Sequence, residues 1–169
     1  MDILAGPAVE TRSARHTLGI RIVTPFRGML AQRDALLDEL YDWVDAHDVP
    51  VAETFLRLHV IDMEGPMDLE VGALVPEASA GDDRVRPGVL PAGDYATLTY
   101  RDHARRANGY LQDWARDNGV VLDRRGVPAG DEFACRYEAY LTDPRTEPRK
   151  TRWIVQLNML TRQAGGLEE

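Results

Sequence analysis

The chain has 169 residues, 44% hydrophobic, 7% aromatic and 28% charged, a globular composition of single-domain length that excludes collagen-like and disordered classes. Its 28 acidic against 20 basic residues give a net charge of −8, the wrong sign for a dedicated nucleic-acid binder that tracks phosphates. Cys135 is the only cysteine, which excludes an intrachain disulfide and any zinc site built on two thiolates. No apolar run approaches the ~20 residues of a membrane span, and the start MDILAGPAVETRSARH lacks the pattern of a signal peptide. A cytoplasmic protein without membrane contact is expected.

In chain order, residues 16–23 alternate, with Leu18, Ile20 and Ile22 on one side and Arg21 and Val23 on the other, which predicts a strand ended by Pro25. Over 30–47 the spacing turns helical. Leu36, Leu37, Leu40, Tyr41 and Val44 form a stripe, with Met29 and Arg33 extending it and acids outside. Asp48-Val49-Pro50 stops that helix. Residues 54–63 alternate again, with Leu56, Leu58 and Val60 opposite Arg57, His59 and Ile61. Glu64-Gly65-Pro66 marks a turn. Leu69, Val71, Ala73 and Val75 then alternate with Asp68, Glu70 and Gly72 as the second arm of a hairpin. The order is strand, helix, strand, strand.

The stretch after Pro76 has no apolar periodicity and reads as a linker over about 77–88. The same order then restarts. A strand is predicted over 95–100 and a helix over 103–118, with Leu111, Trp114 and Ala115 inward and Gly119 as its C-terminal cap. Two further strands, 133–141 and 152–160, flank the turn Thr142-Asp143-Pro144. Leu40-Tyr41-Asp42-Trp43 followed by Val49 matches Leu111-Gln112-Asp113-Trp114 followed by Val120, each pair 71 residues apart. A duplication is therefore expected: repeat one over about 16–76, repeat two over about 89–160 and a C-terminal tail over 161–169, all within one domain. The fold class is α+β, with two strand-helix-strand-strand repeats sharing one antiparallel sheet.

Met67-Asp68-Leu69-Glu70-Val71-Gly72, Val89-Leu90-Pro91-Ala92-Gly93 and Tyr137-Glu138-Ala139-Tyr140-Leu141-Thr142-Asp143-Pro144 carry a resemblance to a known family. The chain resembles the GyrI-like small-molecule-binding family, which also supplies the effector-binding half of AraC-type and MerR-type regulators. The resemblance covers nearly the whole chain. It implies pseudo-twofold symmetry, helices on one sheet face and a ligand cleft where the repeats meet. Family members commonly carry a cleft glutamate on a strand near the C-terminus, and here that position aligns with Ile154.

Nucleotide-loop, zinc-protease and nucleophile-elbow motifs are absent, so no cofactor is expected. His59 has no second His or Cys at a recognisable spacing, so no metal is expected either. Alternation places Arg57, His59, Glu70, Tyr95, Thr97, Glu138, Tyr140, Gln156 and Asn158 opposite the apolar residues of their own strands. That face is either solvated or a concave binding surface. Glu70 is an exposed strand carboxylate, a partner of Arg57 across the hairpin, or a cleft acid with Gly72 leaving room beside it. Tyr137, Trp43, Trp114 and Trp153 read as core, and Cys135 as a small buried hydrophobe.

The leading expectation is a stand-alone effector-type module that binds a hydrophobic, neutral or cationic small molecule. Its ligand-binding residues would be Arg57, His59, Glu70, Tyr95, Glu138, Tyr140, Ile154 and Gln156. Too few residues precede 16 for a DNA-binding helix-turn-helix, so regulation would act through a protein partner, and a homodimer is possible. The resemblance also implies an alternative, a hydrolase of strained electrophilic rings, with Glu138 or Glu70 beside Tyr140 or Tyr95 as the catalytic groups. A gyrase-modulating protein is the third reading.

Overall fold

The computed structural model describes residues 1–163; the last part of the expected tail lies outside the described residues. Ten strands form one antiparallel sheet. They are β1 (Asp2–Arg12), β2 (Arg15–Pro25), β3 (Glu53–Ile61), β4 (Pro66–Leu74), β5 (Arg86–Leu90), β6 (Gly93–Arg101), β7 (Arg124–Val127), β8 (Gly130–Phe133), β9 (Arg136–Tyr140) and β10 (Ile154–Leu160). Helix α1 (Met29–Ala46) follows β2 and helix α2 (Ala104–Asp117) follows β6. The main order is β1-β6-β10-β9-β3-β4-β2-β5, with the β7–β8 hairpin added beside β3.

The order reads alike from either end. The central β9–β3 pair joins a half made of β6, α2, β9 and β10 to a half made of β2, α1, β3 and β4. Both helices lie on one face: α1 packs on β2 and β4, and α2 on β6. The apolar stripes explain why, since Leu40, Val44, Leu111 and Ala115 are all buried there against Leu18, Ile20, Leu98 and Val71. Gly119 ends α2 at φ +69°, a left-handed conformation that glycine adopts without a Cβ clash.

Four strands lie outside the expected set, the short β7–β8 hairpin and the two edge strands β1 and β5. β1 occupies residues before 16, and β5 begins at Arg86, inside the stretch that reads as linker. Each leads its own half but pairs with the other: β1 with β6, and β5 with β2. Only Ser13 and Ala14 connect β1 to β2, which lies six strands away in the sheet. A flat sheet would separate them by about 29 Å at ~4.8 Å per strand, whereas the connection from Arg12 to Arg15 reaches about 11 Å at most. Pro91 and Ala92 make the same demand between β5 and β6. The sheet must therefore curl, bringing its edges towards each other at the end where both turns lie.

Curling gives the sheet a second apolar side. Phe55, Leu74, Leu90, Tyr95, Cys135, Tyr137 and Ala139 form a buried cluster on the face away from the helices. Phe55 and Tyr95 meet Tyr137 edge-on at 5.8 and 5.9 Å between ring centroids. Tyr137 thus sits in a core, but in the inner one.

Candidate functional site

Register places three rows of side chains beneath the helices. The middle row runs Leu98, Leu157, Glu138, Leu56, Val71 and Ile20 across β6, β10, β9, β3, β4 and β2. Five of the six are apolar and at most 1% exposed. The exception, Glu138, stands at the seam between the halves. The next row contains Tyr100, Val155, Tyr140 and Thr54, and Arg136 follows Glu138 on the other side, paired with Met159.

Glu138 is half-buried; among the described residues its carboxylate makes no hydrogen bond to protein and no ion pair within 4 Å, and its oxygens still reach solvent. Burial pushes its pKa up, and the charges of Arg136 and Arg33 offset this only in part. Tyr100 and Tyr140 are also raised, chiefly by burial, with the Glu138 charge adding to it. Arg136 is held by a bond from Nη2 to Asn108 Oδ1 of α2 (2.8 Å) and stacks over Phe133 at 4.7 Å. Desolvation brings its pKa down to about 10, so it remains a cation at neutral pH.

Arg33 enters from α1. It is 8% exposed and lies over two rings, 5.4 Å from the centroid of Tyr140 and 5.1 Å from that of Trp153. Its Nη1 donates to Tyr140 Oη at 3.4 Å, while Nε and Nη2 donate to Asp34 Oδ1. Tyr140 and Trp153 meet at 5.5 Å and 64°. Trp153 Nε1 donates to Glu147 O (2.7 Å), and Lys150 pairs with Asp34, which ties the β9–β10 connection to α1. Carboxylate, phenols, indole and guanidinium are therefore gathered beneath α1, where the halves meet.

The expected site residues divide between the two sheet faces. Glu138 and Tyr140 lie under the helices; Arg57, His59, Glu70, Tyr95, Ile154 and Gln156 have inner-face parity with Phe55 and Tyr137. Alternation alone put all eight together, and this placement is corrected. Its cause is the apolar inner core: Tyr137 and Ala139 have partners there, so the apolar side of β9 is not its helix side. The inner polar groups are largely engaged with one another. His59 Nε2 pairs with Glu70 Oε1 at 2.8 Å, Arg57 donates to Val89 O and Ala134 O, and Arg12 donates to Tyr137 Oη and Gln156 Oε1. Nor is the space beside Gly72 free. A Cβ there would lie 2.2 Å from Phe55 Cζ.

Arg33, Tyr100 and Trp153 were not among the expected site residues. An arginine within an apolar helix stripe is the signal that Arg33 carried, because buried arginines require partners. Two surface hollows of about 410 and 550 Å³ lie elsewhere, at the end of α2 and beside the β1–β2 turn, and neither touches Glu138. Among the described residues no group of three or more His, Cys, Asp or Glu is placed to hold a metal ion, and no helix is long and apolar enough to cross a membrane.

No family model matches the chain, and no curated protein matches it in sequence. Solved structures do match it in shape. The C-terminal domain of EcmrR superposes with a TM-score of 0.71 at 18% identity, covering 93% of this chain and 97% of that domain. EcmrR in complex with DNA gives 0.73 at 16% identity; the same 93% of this chain spans only 57% of that one. SAV2435 bound to tetraphenylphosphonium gives 0.56 at 13% identity, covering 95% and 94%. A hydrolase from Listeria innocua gives 0.57 at 11%, covering 92% and 91%. The chain shares the fold of the EcmrR C-terminal domain and of SAV2435, in keeping with the fold that the sequence resemblance implies.

Proposed function

We propose that this chain is an effector-type domain that binds a hydrophobic, neutral or cationic small molecule at the Glu138 cluster, in a cleft between the two halves. The observation that carries this is the unpaired carboxylate of Glu138 within an otherwise apolar row, flanked by Tyr100, Tyr140 and Trp153. A half-buried charge without a hydrogen bond is costly in an isolated domain. An organic cation would supply the missing counter-charge and cover the rings. SAV2435, which shares the fold, is seen with such a cation. The single buried cysteine fits action in the reducing cytoplasm.

The test uses three probes of nearly one shape: tetraphenylphosphonium, triphenylphosphine oxide and tetraphenylborate. The cation should give the largest thermal shift and change Trp153 fluorescence, the neutral compound less, and the anion least. No shift with the first two, or preference for the borate, would refute the reading. Because burial raises the Glu138 pKa, cation affinity should climb as pH rises from the ordinary carboxylate range through that elevated value. The neutral probe should show no such slope.

A second reading is favoured by the same geometry. A carboxyl whose pKa burial raises above the ordinary carboxylate value, beside two phenols, is suited to orienting water and managing proton transfer at a strained electrophilic ring. The Listeria innocua hydrolase shares the fold. Turnover of such a ring compound, abolished in Glu138→Gln, would favour hydrolysis over simple binding.

A further inference from the structure

We infer that Arg33 is an internal occupant of the ligand site: its guanidinium fills the place of a planar, delocalised cation over the faces of Tyr140 and Trp153, and ligands of that class bind by displacing it. This rests on the binding function proposed above and adds the ligand class and a built-in competitor.

Three features of Arg33 carry the inference. It is more than nine-tenths buried, yet its ring contacts are those that aromatic boxes make with foreign cations, faced by Tyr140 at 5.4 Å and Trp153 at 5.1 Å. Its polar anchoring is concentrated on one carboxylate oxygen, Asp34 Oδ1, which accepts from both Nε and Nη2. The bond to Tyr140 Oη is long at 3.4 Å, and among the described residues its only carboxylate partner is its sequence neighbour Asp34, which is also claimed by Lys150. Glu138 lies on the same face, one residue pair along β9 from Tyr140, and feels the Arg33 charge without bonding to it. An incoming guanidinium or amidinium would take the aromatic box and have Glu138 nearby as an unengaged counter-ion.

Arg33 could swing out without unfolding α1. Asp34 is a third exposed and already contacts two of its nitrogens, so the guanidinium can keep this partner while moving towards water. The affinity observed for a cation that takes the box is then reduced by the fraction of molecules in which Arg33 occupies it. Removing it should lift that restraint.

The experiment compares phenylguanidinium with phenylurea, its neutral planar counterpart, on wild type, Arg33→Met and Arg33→Lys by titration calorimetry or NMR. Arg33→Met should bind phenylguanidinium at least tenfold more tightly than wild type, with phenylurea changed by less than twofold. Arg33→Lys should fall between, because an ammonium keeps the charge but not the planar stack. In wild type, the Arg33 side-chain Nε–H resonance should move from a ring-shifted position to that of a solvated arginine as phenylguanidinium saturates, a readout that needs no variant. Equal or weaker phenylguanidinium binding by a folded Arg33→Met, or an Arg33 resonance unmoved at saturation, overturns the inference while leaving small-molecule binding intact. If neither wild type nor Arg33→Met binds phenylguanidinium, and tetraphenylphosphonium also fails, both the inference and the binding function fall.

Discussion

Glu138→Gln is expected to raise the melting temperature near pH 7 while weakening tetraphenylphosphonium binding at least tenfold. The two effects share one cause. Folding takes this carboxylate partly out of water without giving it a hydrogen bond from the protein, so the folded protein holds the proton to higher pH than the unfolded chain. Ionisation therefore opposes folding from the ordinary carboxylate range upward, and the penalty is complete above the raised pKa. Glutamine keeps the shape and removes the charge. Relief of an unpaired buried group is worth about 1 kcal/mol, or roughly 2–4 °C for a domain of this size. The same charge is what a bound cation would use, so affinity should fall as stability rises. The gain should vanish at pH 3, where glutamate is protonated in both states. A variant that melts lower than wild type at pH 7 would show that Arg33 and Arg136 more than repay the burial, and unchanged cation affinity would remove Glu138 from the site.

What the sequence made legible follows from where each segment sits. The helices and the strands β2, β3, β4, β6 and β10 were readable because each has a continuous apolar side and lies against a helix or between two strands. β1 and β5 were not. Their residues DILAGPAVETR and RPGVL contain glycine and proline and lie at the sheet edges, largely exposed, so nothing enforces alternation in composition. The β7–β8 hairpin is short and also mostly exposed. For the site, composition pointed to Glu138 and Tyr140 but parity misplaced them. A strand with apolar residues on both sides, such as Phe55 and Leu56 in β3 or Ala139 and Tyr140 in β9, gives no internal sign of which side meets the helices. Only register across the sheet decides it, and register depends on the curl that two short turns impose.

That dependence makes the inner core the more revealing place to add a charge. Leu58→Asp strikes the helix face, where Leu58 packs in the main core, and should cost several kcal/mol through an unpaired buried carboxylate. On a sheet with one covered and one solvated face, Phe55→Asp would be tolerated, since 55 and 58 have opposite parity. On the curled sheet it should be as damaging. Phe55 is 1% exposed, sets the tip of its ring against Gly72 and meets Tyr137 edge-on. Its loss opens space between these partners, and the carboxylate has no inner cation to spare, because Arg12 and Arg57 are already committed to Tyr137, Gln156, Val89 and Ala134. Phe/Trp-to-small changes cost about 3–5 kcal/mol in cores, and a buried charge adds to that. Both variants should therefore unfold at much lower denaturant than wild type, or accumulate insolubly. As a control, His59→Gln at the same inner-face parity, where the side chain is more exposed, should cost far less. A soluble Phe55→Asp protein with an unchanged denaturation midpoint would mean that the face opposite the helices is open to water, and the curl that brings the two edges together would be wrong.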